Sequence, residues 1–123
     1  MTSSRAAQIS KLGVTDLFHA SFPNEAKRIC LVTSVDQNTL TARAITTQEN
    51  FVFDRILGQA KSLEGAVCTI DSVYRLSAEL RDVLLEVDRR NGAPGPDGVL
   101  LSHIERRALI DAGAAFSSNP LPS

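Results

Sequence analysis

The sequence predicts an α+β fold: a small bent antiparallel sheet, or SH3-like partial barrel, of four to five strands, followed by two C-terminal helices. Three observations predict it. Through most of residues 14–76 apolar and polar residues alternate with period two, and clusters of turn formers interrupt the alternation. From Ser77 the apolar period becomes 3.6. The 123-residue chain is 43% hydrophobic but only 5% aromatic, with no Trp, so it can bury one core and must build it from aliphatic side chains.

Residues 1–12 read as an N-terminal helical arm, capped by Ser3 or Ser4, touching the core through Ile9 and Leu12 and ended by Gly13. Residues 14–22 carry two signals. Thr15-Asp16 can cap a short helix, but Leu17 to Phe22 also reads as a strand, and the Pro23-Asn24 turn that follows favours the strand. Within Lys27–Val35, Ile29, Leu31, Thr33 and Val35 share one face, and Cys30, Val32 and Ser34 the other. Two largely apolar faces predict a central, buried strand. Asp36-Gln37-Asn38 turns the chain into Thr39–Thr47, and Gln48-Glu49-Asn50 turns it into Phe51-Val52-Phe53, whose two rings share a side. Strands joined by such short connections must be antiparallel. Gly58 to Gly65 reads as a polar loop, and Ala66–Val73 as a further strand.

Leu80, Val83, Leu84 and Val87 then stand at i, i+3, i+4 and i+7, the stripe of one helix. Ser77 caps it, Glu79 complements its positive end, Glu86 and Arg90 form an i,i+4 pair, and Asn91-Gly92 stops it. Ala93-Pro94-Gly95-Pro96-Asp97-Gly98 is a stiff connector. Ser102 and Glu105 have the spacing of a capping box and open a second helix that ends near Gly113. The chain reads as one domain, 1–123: the arm, a β meander over 14–76, two helices over 77–113, and a loose Ser/Pro/Asn-rich tail over 114–123.

Composition bounds the chemistry. A net charge of −1, with no run of like charge longer than two residues, argues against nucleic-acid binding, where phosphate neutralisation supplies most of the affinity. Scarce aromatics remove the stacking platforms that single strands need. Cys30 and Cys68 fall mid-strand among apolar residues, where a thiol acts as a small hydrophobe. Free thiols, no apolar leader and no run near the ~20 apolar residues of a membrane span predict a cytoplasmic protein without membrane contact. No phosphate-binding loop, dinucleotide glycine motif, nucleophile elbow or metal-spaced cluster occurs, so no catalytic residue, cofactor or metal ligand is expected. His19, set among apolar residues, reads as partly buried with a backbone partner, and His103 as a helix-surface residue.

Two groups of residues are candidates for contact. Arg43, Asp54 and Arg55 lie on adjacent strands, where arginines can present a fork to an anion or a partner, or simply pair with Asp54. Leu85 stands off the helix stripe, and Val99 and Leu100 make an apolar run beside the connector; these three predict self-association. The expected function is therefore a non-catalytic protein-interaction or scaffold module, with a protein partner or a second copy as ligand. The alternatives are a nucleic-acid-binding small barrel, and an enzyme or small-ligand binder with a dispersed site, which a pocket containing His19 or Cys30 would favour.

Overall fold

The period-two segment forms six antiparallel strands, and the segments with helical period form the helices around them. The computed structural model describes residues 4–61, 65–92 and 101–122. The order is α1 (Arg5–Ser10), β1 (Leu17–Ser21), β2 (Lys27–Val35), β3 (Thr39–Ala44), β4 (Asn50–Asp54), β5 (Gln59–Lys61), β6 (Val67–Ser72), α2 (Ala78–Gly92) and α3 (His103–Ser117). The strands follow the order β4-β3-β2-β1-β6-β5, and β5 comes back beside β4, so the sheet nearly closes into a barrel.

Alternation divides the strands between two cores. Phe18, Ala20, Cys30, Val32, Leu40, Ala42, Ala44, Phe51, Phe53, Ala60, Cys68 and Ile70 fill the barrel interior. The mix of Ala and Phe suits a narrow barrel, whose inside cannot hold a large side chain at every inward position. Phe18 and Phe53 meet edge to face, with centroids 5.3 Å apart. Ile9 and Leu12, from α1 and the residues after it, join this core. On the outer face, Leu17, Leu31 and Ile45 pack under Leu84 of α2 and Ala108, Ala112 and Phe116 of α3. β2 therefore has both faces covered, as its two apolar faces predict: Cys30 and Val32 inside, Leu31 under the helices.

Local signals fix the helix ends. Ser4 accepts from the Ala7 amide, Ser77 from the Leu80 amide, and Ser102 and Glu105 complete the capping box. The helices differ from expectation in one pair. Arg90 does not pair with Glu86 but with the buried Glu105 of α3, and Arg89 takes Glu86 instead. A capping-box carboxylate already held by the Ser102 amide accepts the extra cation, which locks α2 to α3.

Two further expectations are corrected. The loop over 58–65 contains a strand, β5, whose three residues alternate exposed, buried, exposed; three residues are too few for a period to show. The tail over 114–123 is not loose. α3 runs on to Ser117, Phe116 has no exposed surface, Ser72 Oγ donates to the Asn119 carbonyl at 2.7 Å, and the Leu121 amide donates to the Asp71 carbonyl at 2.8 Å. A β-bulge on the β1–β6 ladder, between His19 and Ala20, leaves that Asp71 carbonyl off the ladder and available to the tail. Leu121 then packs against the barrel core.

Candidate functional site

The charged residues chosen from sequence are used inside the fold. Arg43 grips Asp88 with both prongs, Nε to Oδ1 at 2.9 Å and Nη2 to Oδ2 at 2.7 Å, and Gln48 Nε2 donates to the same Oδ1 at 2.9 Å. Burial pushes the Asp88 carboxyl up, but the hydrogen bonds from Arg43 and Gln48 outweigh it and hold the group below the usual carboxylate range. Asp54 accepts from the backbone amides of Ile56, Leu57 and Gln59 at 3.0, 2.5 and 3.1 Å, closing the β4–β5 turn. Arg55 donates to the Asp36 carbonyl and the Ser10 carbonyl, both at 2.7 Å, tying α1 to the β2–β3 turn. Arg43, Asp54 and Arg55 thus form no shared fork. Arg43 spends two donors on a buried carboxylate and Arg55 two on carbonyls, while Arg55 Nε is buried with no hydrogen-bond partner among the described residues.

The self-association residues divide. Leu85 is half-buried and packs against the helix-side core, so its place off the stripe has an internal cause. Val99 and Leu100 lie outside the described residues. Among the described helix residues, Ile104 and Ile110 of α3 are the large hydrophobic side chains left in water, at 70% and 67% exposure.

Two concavities among the described residues bear on the site. The larger, about 650 Å³, lies between α1, the start of β1, and the connection from β6 into α2. Leu12, Leu17 and Leu76, each under a tenth exposed, are among its apolar lining, beside Tyr74 and Val73. Lys11, Arg75 and Arg81 supply cations against one carboxylate, Asp16. Asp16 is occupied with the Gly13 amide at 2.8 Å, and Arg81 anchors α2 by donating to the Thr15 carbonyl at 2.5 Å. Lys11 and Arg75 are exposed and make no ion pair among the described residues.

The smaller, about 300 Å³, lies between the outer face of β1–β2 and α3, lined by His19, Lys27, Arg28, Ile29, Thr46, Leu109, Gly113 and Ser117. His19 is only 4% exposed. Its expected backbone partner is replaced by a side chain: Nδ1 lies 2.6 Å from Asp71 Oδ1, and Phe116 stacks on the ring with centroids 5.5 Å apart. Burial raises the Asp71 carboxyl, but the hydrogen bond from His19, with Ser21 and Lys27, brings it below its ordinary value. An ionised carboxylate only accepts, so Nδ1 carries the hydrogen and, in the neutral ring, Nε2 is a bare acceptor. Nε2 makes no hydrogen bond among the described residues and is not among the atoms sealed from solvent, and the His19 ring lines the cleft.

Neither cysteine lines these cavities. Both are free and fully buried; burial drives the Cys30 thiol far above its usual range and the Cys68 thiol up to about 11. Thiolate, the reactive form, is therefore scarce at neutral pH. Alkylation of native protein should be slow at both positions and become rapid on denaturation, followed by intact-mass measurement. Fast native labelling of either thiol would show that the barrel opens far more readily than its packing implies.

Among the described residues no three metal-ligating side chains cluster, and no helix is long and apolar enough to cross a membrane. No protein-family model matches the chain, and no curated protein or solved structure is significantly similar to it. The cavity-lining charges were invisible as a set in the sequence, since Lys11 and Arg75, or His19 and Asp71, stand more than fifty positions apart. Only the His19 position, polar within an apolar strand, carried a signal.

Proposed function

We propose that this chain is a non-catalytic interaction module that receives an acidic, partly apolar segment of a partner protein in the larger groove. The observation that carries this reading is the pairing of an apolar floor (Leu12, Leu17, Leu76) with a rim on which Lys11 and Arg75 make no ion pair among the described residues. Apolar side chains of the segment gain by leaving water, while carboxylates at its edges meet the rim cations; burial sets affinity and charge sets register and encounter rate. Three cations against one already occupied carboxylate select against a basic segment. Self-association through Leu85 loses its support, because that side chain is partly covered by its own helices.

The test is selection of a random displayed-peptide library on the full chain. Enriched peptides should combine Asp or Glu with aliphatic residues, and their binding should weaken with salt. The double variant Lys11→Glu, Arg75→Glu changes exposed residues and should keep the fold, yet weaken these peptides by about tenfold or more through like-charge opposition. No enrichment, or unchanged affinity in the double variant, would refute the groove. Tighter, steeply salt-dependent binding of mixed oligonucleotides would replace the reading with the nucleic-acid one.

A further inference from the structure

The smaller cleft carries an inference independent of the groove. A buried imidazole is usually satisfied on both nitrogens or packed away from solvent. His19 is neither. Asp71 fixes Nδ1, Phe116 fixes the ring plane, Nε2 has no hydrogen-bond partner among the described residues, and the ring lines a cavity shared with Lys27, Arg28, Thr46 and Ser117. Lys27 Nζ lies 4.0 Å from Asp71 Oδ2 and is about half exposed, so it reaches both the carboxylate and the cleft. Arg28 is committed to Glu49, with Nε 2.8 Å from Oε1, and to the Lys27 carbonyl. Thr46 and Ser117 add hydroxyls that donate or accept, and Ile29, Leu109 and Gly113 give an apolar wall.

We infer that this cleft binds a small anion bearing an adjacent hydroxyl, with the hydroxyl donating to His19 Nε2 and the charged oxygens resting on the Lys27 ammonium. The charges around the cleft nearly cancel, Lys27 and Arg28 against Asp71 and Glu49. An anion is therefore not drawn in by net field alone. Selection comes from the proton: a bare acceptor held in place accepts a hydroxyl and offers nothing to an oxyanion that lacks one. Cleft size confines the ligand to the smallest class of binding-site occupants, since pockets of about 300 Å³ stand at the low end of the range. Two ligand families share the chemistry, hydrogenphosphate and short 2-hydroxy acids.

Matched probes decide the matter. Isotope-labelled protein at neutral pH is titrated with phosphate and with sulfate, and with lactate and with propionate, at constant ionic strength. Phosphate keeps a P–OH where sulfate has none, and lactate keeps the hydroxyl that propionate lacks. Saturable shifts of the Ile29, Thr46, Gly113 and Ser117 amides are expected with at least one hydroxyl-bearing anion. Its proton-free counterpart should bind about tenfold more weakly, the size of one lost hydrogen bond. Whichever hydroxyl-bearing probe binds identifies the ligand family. Lys27→Met alters a half-exposed side chain and should abolish saturation while the spectrum elsewhere is unchanged. His19→Gln should remove the discrimination within each pair; the matched pairs on the native chain decide the question even if that variant fails to fold. Equal binding within both pairs, no saturable shift, shifts centred on Lys11 and Arg75, or a Lys27→Met variant that binds normally would each overturn the inference.

Discussion

Phe116→Ala is expected to destabilise the protein by about 3–5 kcal/mol in chemical denaturation, the range for deleting a fully buried ring. Phe116 has no exposed surface. It joins Leu17 and Leu31 of the sheet to Leu84 of α2, and it backs the His19 ring. Removing it leaves a void that three elements line, and α3 cannot collapse into it while Ser72 and Asp71 hold the residues that follow. The variant should also release the His19 ring and so broaden the signals of the smaller cleft. Phe116→Leu keeps most of the volume and should lose far less. A loss under about 0.5 kcal/mol for Phe116→Ala, the range of an ordinary surface change, would mean that the end of α3 is not docked.

The second large effect is at Gly58. This residue has φ +70°, donates to the Asp54 carbonyl at 3.1 Å and accepts from the Ile70 amide at 2.8 Å. A β-carbon here would stand 2.8 Å from Ile9 Cδ1 and 3.3 Å from both Ile70 Cβ and Arg5 Nη2. Gly58→Ala therefore meets two penalties: about 1–2 kcal/mol for a left-handed backbone and about 1–3 kcal/mol for overpacking, together about 2–5 kcal/mol. Gly65 is the internal control. Its φ is +87° but no atom of the described residues lies within 4 Å of its β-carbon position, so Gly65→Ala should show the backbone penalty alone. Adding Ile9→Val to Gly58→Ala should recover part of the loss, a coupling that appears only if the two groups touch. Equal losses at Gly58 and Gly65 would mean that α1 does not seat on the β4–β5 turn.

Both positions show where sequence reading stops. Gly58 was legible as a turn glycine, but Ile9, the atom it must avoid, is forty-nine positions away. Phe116 lies in a segment whose serines, prolines and asparagine imply a free end, and the Asp71 carbonyl at the β-bulge, with the Ser72 hydroxyl beside it, gives that end a place to bind. Asp88 lies on α2, and Arg43 and Gln48 draw it inward. A charge on a helix is buried when a partner waits for it, and residue type does not announce the partner.

The sequence by itself determined the α+β class, the antiparallel meander, the two C-terminal helices and the Ser77 and Ser102 caps, and it narrowed the first cap to Ser3 or Ser4. Each of these rests on side chains within about four residues of one another along the chain, where period and capping chemistry act directly. Tertiary structure alone decided the sixth strand and the near-closure of the sheet, the docking of the tail, the commitment of Arg43 and Arg55, and the two cavities. Those depend on contacts such as His19 with Asp71, fifty-two positions apart, which form only when the β1–β6 ladder brings its strands together. Such pairing follows from the packing of the whole core, so no local pattern encodes it.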